Sequence, residues 1–145
     1  MCSDILISLH PKHCDKVVAG VKTVELRRRK PKVSPGTRVW IYTKRPRACI
    51  DAVAIIESIH GGSHNELWQQ FGDRIAISRP DFNEYLAGAN GACAIVLRSA
   101  HSLKRAIGLE EIRQEIQSFH PPQFFKRLLP NSKELALLLQ DPPVC

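Results

Sequence analysis

The sequence GVKTVELRRRKP, residues 20–31, decides the fold. Its apolar and polar residues alternate with a period of two, which is typical of a β-strand. We expect Val24 and Leu26 to face the core, and Thr23, Glu25 and Arg27 to present polar groups on the opposite face. Lys22 would lie at the entrance of the strand. A strand that lines up a carboxylate with cations predicts either a solvated surface or the floor of a polar site.

The positive charge of the chain is concentrated around this stretch. The formal net charge is +7, and the window from Arg27 to Arg47 holds nine Lys or Arg residues and no acid. Outside the window, twelve Lys or Arg residues face fourteen acids, so the remainder is slightly acidic. A local patch of this density favours a polyanion or a phosphorylated ligand. The alternative is a basic edge that only improves solubility.

The composition is that of a globular protein. A chain of 145 residues with 43% hydrophobic and 24% charged residues is expected to form one domain, residues 1–145, around a single core. No apolar run approaches the ~20 residues that span a bilayer, and the N-terminus lacks the pattern of a signal peptide. Five scattered cysteines without a Cys-x-x-Cys pair predict free thiols in the cytoplasm.

The order of predicted elements indicates an α+β fold. Apolar and branched residues predict strands over residues 4–9, 38–43, 48–58 and 92–99, with one more over residues 103–107. Helices are expected over residues 12–19, after caps at Ser63 and Ser78, over residues 109–119 and from Asn131. Short helices inserted between five or six short strands predict a small mixed β-barrel rather than a parallel sheet. Residues 124–129 are expected to dock by hydrophobicity.

The spacing Gly20-x-Lys22-x-x-Glu25-x-Arg27 resembles the signature of the ASCH domain family, in the PUA-like superfamily. The flanking pattern agrees, because an apolar strand ending in Ser8-x-His10-Pro11 precedes the signature and a strand ending in Tyr42-Thr43 follows it. The likeness covers roughly residues 4–115. It implies a small PUA-like β-barrel with helices around it, and a polar cleft into which the signature lysine and glutamate project.

The resemblance also implies a class of ligand. Members of the superfamily are mostly linked to RNA or modified nucleotides, and some small single-domain ASCH proteins are amidohydrolases that deacylate N4-acylated cytidine. Those enzymes use a lysine, a threonine and a separate glutamate. Lys22 occupies the lysine position, and Glu25 stands where those enzymes have the threonine. Thr23 lies one residue after the lysine, and Asp73 is the acid near the position of the separate glutamate.

The residue types fit that chemistry. Amide cleavage needs a base, a nucleophile and a group that holds the oxyanion. Lys22 is the candidate base, because burial and nearby cations would lower its pKa. A carboxylate such as Glu25 can accept a hydrogen bond from the exocyclic amine of cytosine. The alternative is a surface ion pair between the two residues, worth ~0–1 kcal/mol.

The predicted site therefore has three parts. The candidate catalytic residues are Lys22, Glu25, Thr43 and Thr23, with the nucleophilic hydroxyl left open. The candidate substrate-binding residues are Ser8, Arg27, Tyr42 and Lys44. Arg28, Arg29 and Lys30 are expected to contact phosphate, with Lys32, Lys44, Arg45 and Arg47 as further candidates.

Two aromatic residues and one histidine pair are further candidates for ligand contact. Trp40 and Tyr42 are candidates to stack on bases, although Trp40 is more typical of a core residue. They lie on the opposite face of their strand from Val39 and Ile41, so we expect the two faces to be unequally buried. His10-x-x-His13 contains zinc-type ligands, but Pro11 separates the two histidines, and we expect no metal site.

The sequence thus predicts a hydrolase of N4-acylated cytidine or a similar modified nucleoside, with Lys22 as base. The alternatives are a module that binds RNA or a modified nucleotide without reaction, and a domain that docks proteins through its C-terminal apolar residues. We expect a nucleoside or nucleotide as substrate, RNA as a further partner, and neither a cofactor nor a membrane. The oligomeric state stays open.

Overall fold

Six β-strands and five short helices make up residues 3–140, the part of the chain that a computed structural model describes. The elements in chain order are β1 (Asp4–Leu9), α1 (Pro11–Val18), β2 (Val24–Arg27), β3 (Arg38–Thr43), β4 (Cys49–Gly62), α2 (His64–Ile75), α3 (Arg79–Leu86), β5 (Ala92–Gly108), α4 (Leu109–Glu115), β6 (Phe125–Leu128) and α5 (Lys133–Leu138).

All six strands form one curled half-barrel sheet in the order β2-β5-β4-β3-β1-β6. Strands β1 and β3 are parallel, and every other neighbouring pair is antiparallel. Register shifts within β3–β4 and β4–β5 let these strands bend, because a β-bulge adds local twist. The predicted α+β fold, with a curled mixed sheet and short helices around it, is confirmed. Strands β2 and β6 are the two edges, and the site described below lies between them.

The sheet is covered on both faces. On one face, which we call the α1 face, Ile5, Ile7 and Ile95 pack with Cys14 and Val17 of α1. On the opposite face, residues of β1, β3 and β4 pack with α4, α5 and their flanking segments. A third apolar cluster joins β2 and β5 to α2 and α3.

Strand β2 has the alternation that the sequence predicts. Val24 and Leu26 are buried in the cluster beneath α2 and α3. Glu25 and Arg27 point to the α1 face, since their register partners in β5 are Ile95 and Cys93, which belong to that face. The polar side of the strand is therefore directed into the protein at Glu25 rather than into solvent.

The expectation of unequal burial for the two faces of β3 is wrong. Val39 and Ile41 are buried on the α1 face, and Trp40 and Tyr42 are buried on the other. The indole Nε1 of Trp40 donates to Asp4 Oδ1 at 2.9 Å, which satisfies the polar atom of a fully buried ring. Neither aromatic residue is available to stack on a base.

The C-terminal third differs most from the sequence expectation. The two strands predicted over residues 92–99 and 103–107 are one strand, β5, which bends at Ser99 with φ +55°. Residues 125–128 pair with β1 as an edge strand, because backbone hydrogen bonding to a free edge dominates over simple hydrophobic docking. Helix α4 ends at Glu115, short of the predicted Phe119.

The starts of the helices agree better with the sequence than the C-terminal elements do. Ser63 and Ser78 cap α2 and α3, with a complete capping box at Ser63 and Glu66. Ser132, rather than Asn131, caps α5. Within residues 3–140 no helix is long and apolar enough to cross a bilayer. Cys14, Cys49 and Cys93 are free and buried, as expected, whereas Cys2 and Cys145 lie outside the described residues.

Candidate functional site

A turn after α1 places Lys22 inside the protein. Gly20 adopts φ +78°, a conformation that glycine reaches without steric cost, and the backbone N–H groups of Val21 and Lys22 both donate to Lys16 O at 3.0 Å. Only 3% of Lys22 is exposed, and its Nζ donates to Ile75 O at 2.6 Å. Because Ile75 ends α2, the ammonium group also interacts favourably with the dipole of that helix.

Several groups around Lys22 act on its pKa. Burial lowers the pKa of Lys22 below its usual 10.5. The Glu25 carboxylate opposes this shift, while Lys16 and Arg27 lower the pKa further. The sequence expectation that burial and cations act on this lysine therefore has a structural basis, with burial as the largest cause.

Glu25 is the second buried ionisable residue at this position. Only 8% of it is exposed, and within residues 3–140 its Oε2 has no hydrogen-bond partner. A buried polar atom without a partner costs free energy, so such an atom in a folded protein calls for an explanation. A ligand that supplies an N–H or O–H donor is one.

His13 of α1 completes this group. Its Nδ1 is shielded from solvent and also lacks a partner among the described residues. Burial lowers the pKa of His13 below 6.5, Lys22 lowers it further, and Glu25 opposes the shift. His13, Lys22 and Glu25 therefore act on one another electrostatically, and we refer to them as the buried polar cluster.

The sequence did not place His13 in the site. It stood out only as part of the His10-x-x-His13 pair. In that pair, His10 Nδ1 accepts from the Lys12 backbone N–H as the cap of α1, and the two imidazole rings lie edge-on with their centres 6.3 Å apart. Among residues 3–140, no group of three or more His, Cys, Asp or Glu residues is arranged to hold a metal ion.

A cleft of about 1020 Å³ lies between the edge strands β2 and β6. It is lined by Arg27 and Ile95, the neighbours of Glu25 on the α1 face, rather than by the cluster itself. Six cations line it, and we refer to it as the basic cleft: Arg27, Arg28, Arg29, Lys30, Lys32 and Arg127. Its apolar lining comes from three isoleucines on the α1 face of the sheet, Ile5, Ile7 and Ile95, and from three aromatic residues, Tyr85, Phe124 and Phe125. The cleft thus combines cations with a surface suited to flat apolar groups.

The aromatic lining is partly accessible. Phe124 is 59% exposed, and the Arg29 guanidinium lies 5.3 Å from the centre of its ring, within the range of a cation–π interaction. Tyr85, at the end of α3, is also exposed. Burial of its hydroxyl raises the pKa of Tyr85, with Arg27 opposing, so the phenol is neutral at pH 7.

The cations between Arg27 and Arg47 lie in different parts of the structure. Residues 27–30 and Lys32 line the cleft, joined by Arg127 from the far end of the chain. Arg38 instead pairs with Asp4 at 2.5 Å. Lys44 and Arg45 are exposed on the loop before β4 and do not line the cleft.

Thr43 and Arg47 belong to a different group of polar residues. Thr43 Oγ1 donates to Asp51 Oδ1 at 2.5 Å, and Arg47 pairs with Asp51 Oδ2 at 3.2 Å and also with Asp15. The thiol of Cys14 lies 3.7 Å from Asp51 Oδ1. We refer to Cys14, Asp15, Thr43, Arg47 and Asp51 as the Asp51 network.

The remaining candidate hydroxyls are engaged elsewhere. Thr23 Oγ1 accepts from Arg74 Nε at 2.8 Å, and Ser8 Oγ donates to Pro122 O at 2.7 Å. Tyr42 lies in the core on the face opposite α1. The structure therefore brings together Lys22, Glu25 and Arg27, with Arg28, Arg29 and Lys30 along the adjoining cleft.

Comparison with known proteins agrees with the signature in β2. Residues 6–132 match the model of a family described as a domain of unknown function, DUF365. A relative from Zymomonas mobilis, named an ASCH domain-containing ribonuclease, is 36% identical over 120 residues, which are 83% of this chain and 80% of the relative.

Solved structures give the same result at the level of the fold. The crystal structure of ASCH from Zymomonas mobilis matches with a TM-score of 0.85 and 32% identity, over 92% of this chain and 93% of that one. Human THYN1, solved in complex with DNA containing 5-methylcytosine, matches with a TM-score of 0.56 over 98% of this chain and 99% of that one. At 11% identity, that second likeness shows the fold alone.

Proposed function

This chain belongs to the ASCH domain family, and we propose that it is a hydrolase that acts on RNA. In this proposal the RNA strand lies in the basic cleft, and the phosphodiester bond to be cleaved lies beside the buried polar cluster. The observation that carries the proposal is the cleft itself, in which six cations surround an apolar and aromatic lining. The name of the Zymomonas mobilis relative, a ribonuclease, supports the same class of substrate.

The lining of the cleft suits single-stranded RNA. Lys and Arg side chains neutralise phosphates and give affinity without reading sequence. Unpaired bases stack on exposed aromatic rings, and Phe124 and Tyr85 offer such rings. A duplex hides its bases, so it would use the cations of the cleft and leave the apolar lining empty.

The buried polar cluster supplies the groups that RNA cleavage needs. The 2′-hydroxyl loses a proton and its oxygen attacks the adjacent phosphorus. The bond from phosphorus to the 5′-oxygen breaks, and that oxygen takes a proton from water as it leaves, giving a 2′,3′-cyclic phosphate. Because its pKa is lowered, the imidazole of His13 is neutral at pH 7 and accepts the first proton. In its protonated form, Lys22 stabilises the negative charge that develops on the phosphate.

The test is cleavage of labelled single-stranded RNA by the wild-type protein and by Lys22→Met. We expect Lys22→Met to bind RNA and to cleave it far more slowly. Cleavage at the wild-type rate would contradict the role of the cluster. Binding by the wild-type protein without any cleavage would instead favour a non-catalytic RNA-binding module.

A second candidate function is supported by the burial of Lys22. A lysine that is 3% exposed and has a lowered pKa can act as a base, as required for release of the acyl group from N4-acylated cytidine. Here Lys22 takes a proton from water, the water oxygen attacks the acyl carbon, and the bond from that carbon to N4 breaks. Lys22 returns the proton to N4, so cytidine leaves as the amine and the acyl group leaves as its carboxylic acid. This version uses Lys22, Glu25 and Arg27, and does not need Thr23, Thr43, Ser8, Tyr42 or Lys44.

Release of cytidine from N4-acetylcytidine tests this second function. Lys22→Arg is the informative variant, because arginine keeps the positive charge but is never deprotonated in proteins. We expect no release by Lys22→Arg. Equal release by the variant and the wild-type protein would exclude Lys22 as the base. The buried, unpaired thiols of Cys14, Cys49 and Cys93 support our proposal that either activity takes place in the cytoplasm.

A further inference from the structure

We propose that Glu25 selects RNA whose base carries an exocyclic amine, which means cytosine, adenine or guanine, over RNA whose base is uracil. This inference rests on the proposed function, because it requires RNA in the basic cleft. It adds a determinant of base specificity, a role that the cations of the cleft cannot fill, since phosphate contacts carry no sequence information.

Glu25 is the member of the buried polar cluster whose neighbours on the sheet line the cleft. It projects from the same face of β2 as Arg27, two residues further along, and its register partner in β5 is Ile95. Arg27 and Ile95 both line the cleft. Directly opposed residues of antiparallel strands are close neighbours on one face. The carboxylate is therefore adjacent to both the cationic wall and the apolar lining.

One carboxylate oxygen of Glu25 has unused hydrogen-bonding capacity. Its Oε2 has no partner within residues 3–140. Two neighbouring cations make hydrogen bonds to backbone carbonyl groups, since Lys22 Nζ donates to Ile75 O at 2.6 Å and Arg27 Nη1 donates to Phe124 O at 3.4 Å. A carboxylate only accepts hydrogen bonds, so the group that satisfies it must be a donor.

Nucleobases differ in the donor that they present. Cytosine carries an N4 amine, which pairs well with a carboxylate, whereas uracil carries the O4 carbonyl at the same place. Two acceptors facing each other repel, and the N3–H of uracil lies between two carbonyls. Adenine and guanine also carry exocyclic amines. A base held against the apolar lining, with its phosphates on the rim cations, can turn this edge toward Glu25.

The experiment compares two oligonucleotides of equal length, oligocytidylate and oligouridylate, at one fixed ionic strength. We expect the wild-type protein to bind oligocytidylate about tenfold more tightly, within the range that one good base contact gives. Glu25→Gln should bring the ratio close to one, because the amide offers a donor to uracil as well as an acceptor to cytosine.

Glu57→Gln is the matched control. Glu57 is exposed on β4, away from the cleft, so this variant makes the same change of charge and should keep the wild-type ratio. Oligonucleotides of N4,N4-dimethylcytidine, which has no amine hydrogen, test the idea with the unaltered protein and should bind as weakly as oligouridylate.

The outcomes separate this inference from the function on which it rests. Absence of binding to either oligonucleotide overturns both. Equal binding of the two by the wild-type protein, or a preference that survives both Glu25→Gln and dimethylation, overturns the inference and leaves RNA binding in place. If Glu25→Gln changed the preference for RNA over DNA but not for cytosine over uracil, the carboxylate would contact the 2′-hydroxyl, and the inference would be wrong.

Discussion

Two polar groups flank helix α1, and they differ in whether their hydrogen bonds are satisfied. In the Asp51 network, Asp51 is bonded by Thr43 and Arg47 and is approached by the thiol of Cys14. In the buried polar cluster, His13 Nδ1 and Glu25 Oε2 have no partner in the described region. Both groups contain an acid and a base. Of the two, the buried polar cluster is the one with buried atoms still free to form hydrogen bonds with a ligand.

Whether its hydrogen bonds are satisfied therefore tells a structural polar group from a functional one more clearly than its residue types do. A satisfied polar network fixes the packing of the elements that contribute to it. An unsatisfied one costs free energy, so each buried atom without a partner calls for an explanation, such as a catalytic role or a bound ligand, ion or water. Thr43 was a plausible nucleophile in the sequence, but its hydroxyl is committed to Asp51. Four predictions test the comparison.

The largest expected effect is loss of catalysis when the cluster is altered. Lys22→Met should lower the rate of RNA cleavage about hundredfold or more, the usual contribution of a group that moves protons or stabilises charge. Single-turnover cleavage at saturating protein isolates this step from binding. Thr43→Val is the matched comparison and should cleave at close to the wild-type rate. The opposite ranking would assign the chemistry to the Asp51 network.

The second effect is on stability, and here a change in the Asp51 network should cost more than a change in the buried polar cluster. Thr43 is fully buried, and Thr43→Val removes its hydrogen bond to Asp51. Loss of a buried hydrogen bond costs about 1–3 kcal/mol of unfolding free energy. Urea denaturation followed by circular dichroism measures this quantity. Glu25→Gln should destabilise the fold less, because Oε2 has no hydrogen bond to lose; a larger loss than in Thr43→Val would refute the distinction between the two groups.

The third effect is on affinity and compares two lysines that were both predicted to contact phosphate. Lys30 lines the basic cleft, whereas Lys44 lies on the loop before β4, near the Asp51 network. Lys30→Glu should weaken RNA binding about tenfold and reduce the slope of log affinity against log salt by at least ~0.7, the value for one phosphate contact on a single strand. Lys44→Glu should change both much less. Equal losses would move the RNA path away from the cleft.

The smallest effect is the dependence of stability on pH through His13. Its pKa is lowered in the folded protein, so the unfolded chain binds more protons as the pH falls below about 6.5. The free energy of unfolding should therefore decrease as the pH falls through that range and should be unaffected by His13 at neutral pH and above. In His13→Gln this part of the decrease should disappear; an unchanged pH profile would show that His13 is not held in a lowered-pKa environment.

Much of the fold was predictable because its signals are local. The alternation around Val24 and Leu26 indicated β2, and the Ser63 and Ser78 caps marked the starts of α2 and α3. The C-terminal part was not. Residues 125–128 become a strand because β1 has a free edge there, and a free edge is a property of the assembled sheet.

The part of the candidate site that is local in sequence was predictable, and the part that comes from distant residues was not. Lys22, Glu25 and the cations of residues 27–30 are near one another in sequence, and their spacing indicated a polar site. Arg127 and Phe124 join that site from about one hundred residues away, through a pairing that periodicity does not reveal. Asp51 gave no signal either, because its role depends on Thr43 and Arg47 folding around it.

The sequence by itself determined that this chain has a basic β-strand with a lysine and a glutamate at fixed spacing, within a small α+β fold. Composition and period are properties of neighbouring residues, so they can be read without a structure. Only the tertiary structure decided that the polar side of this strand turns into the protein, that His13 joins it, and that Thr43 is bonded elsewhere. Whether a buried polar atom has a partner depends on contacts between distant segments, and two of the four buried side-chain atoms without a partner in residues 3–140, on His13 and Glu25, belong to the proposed site.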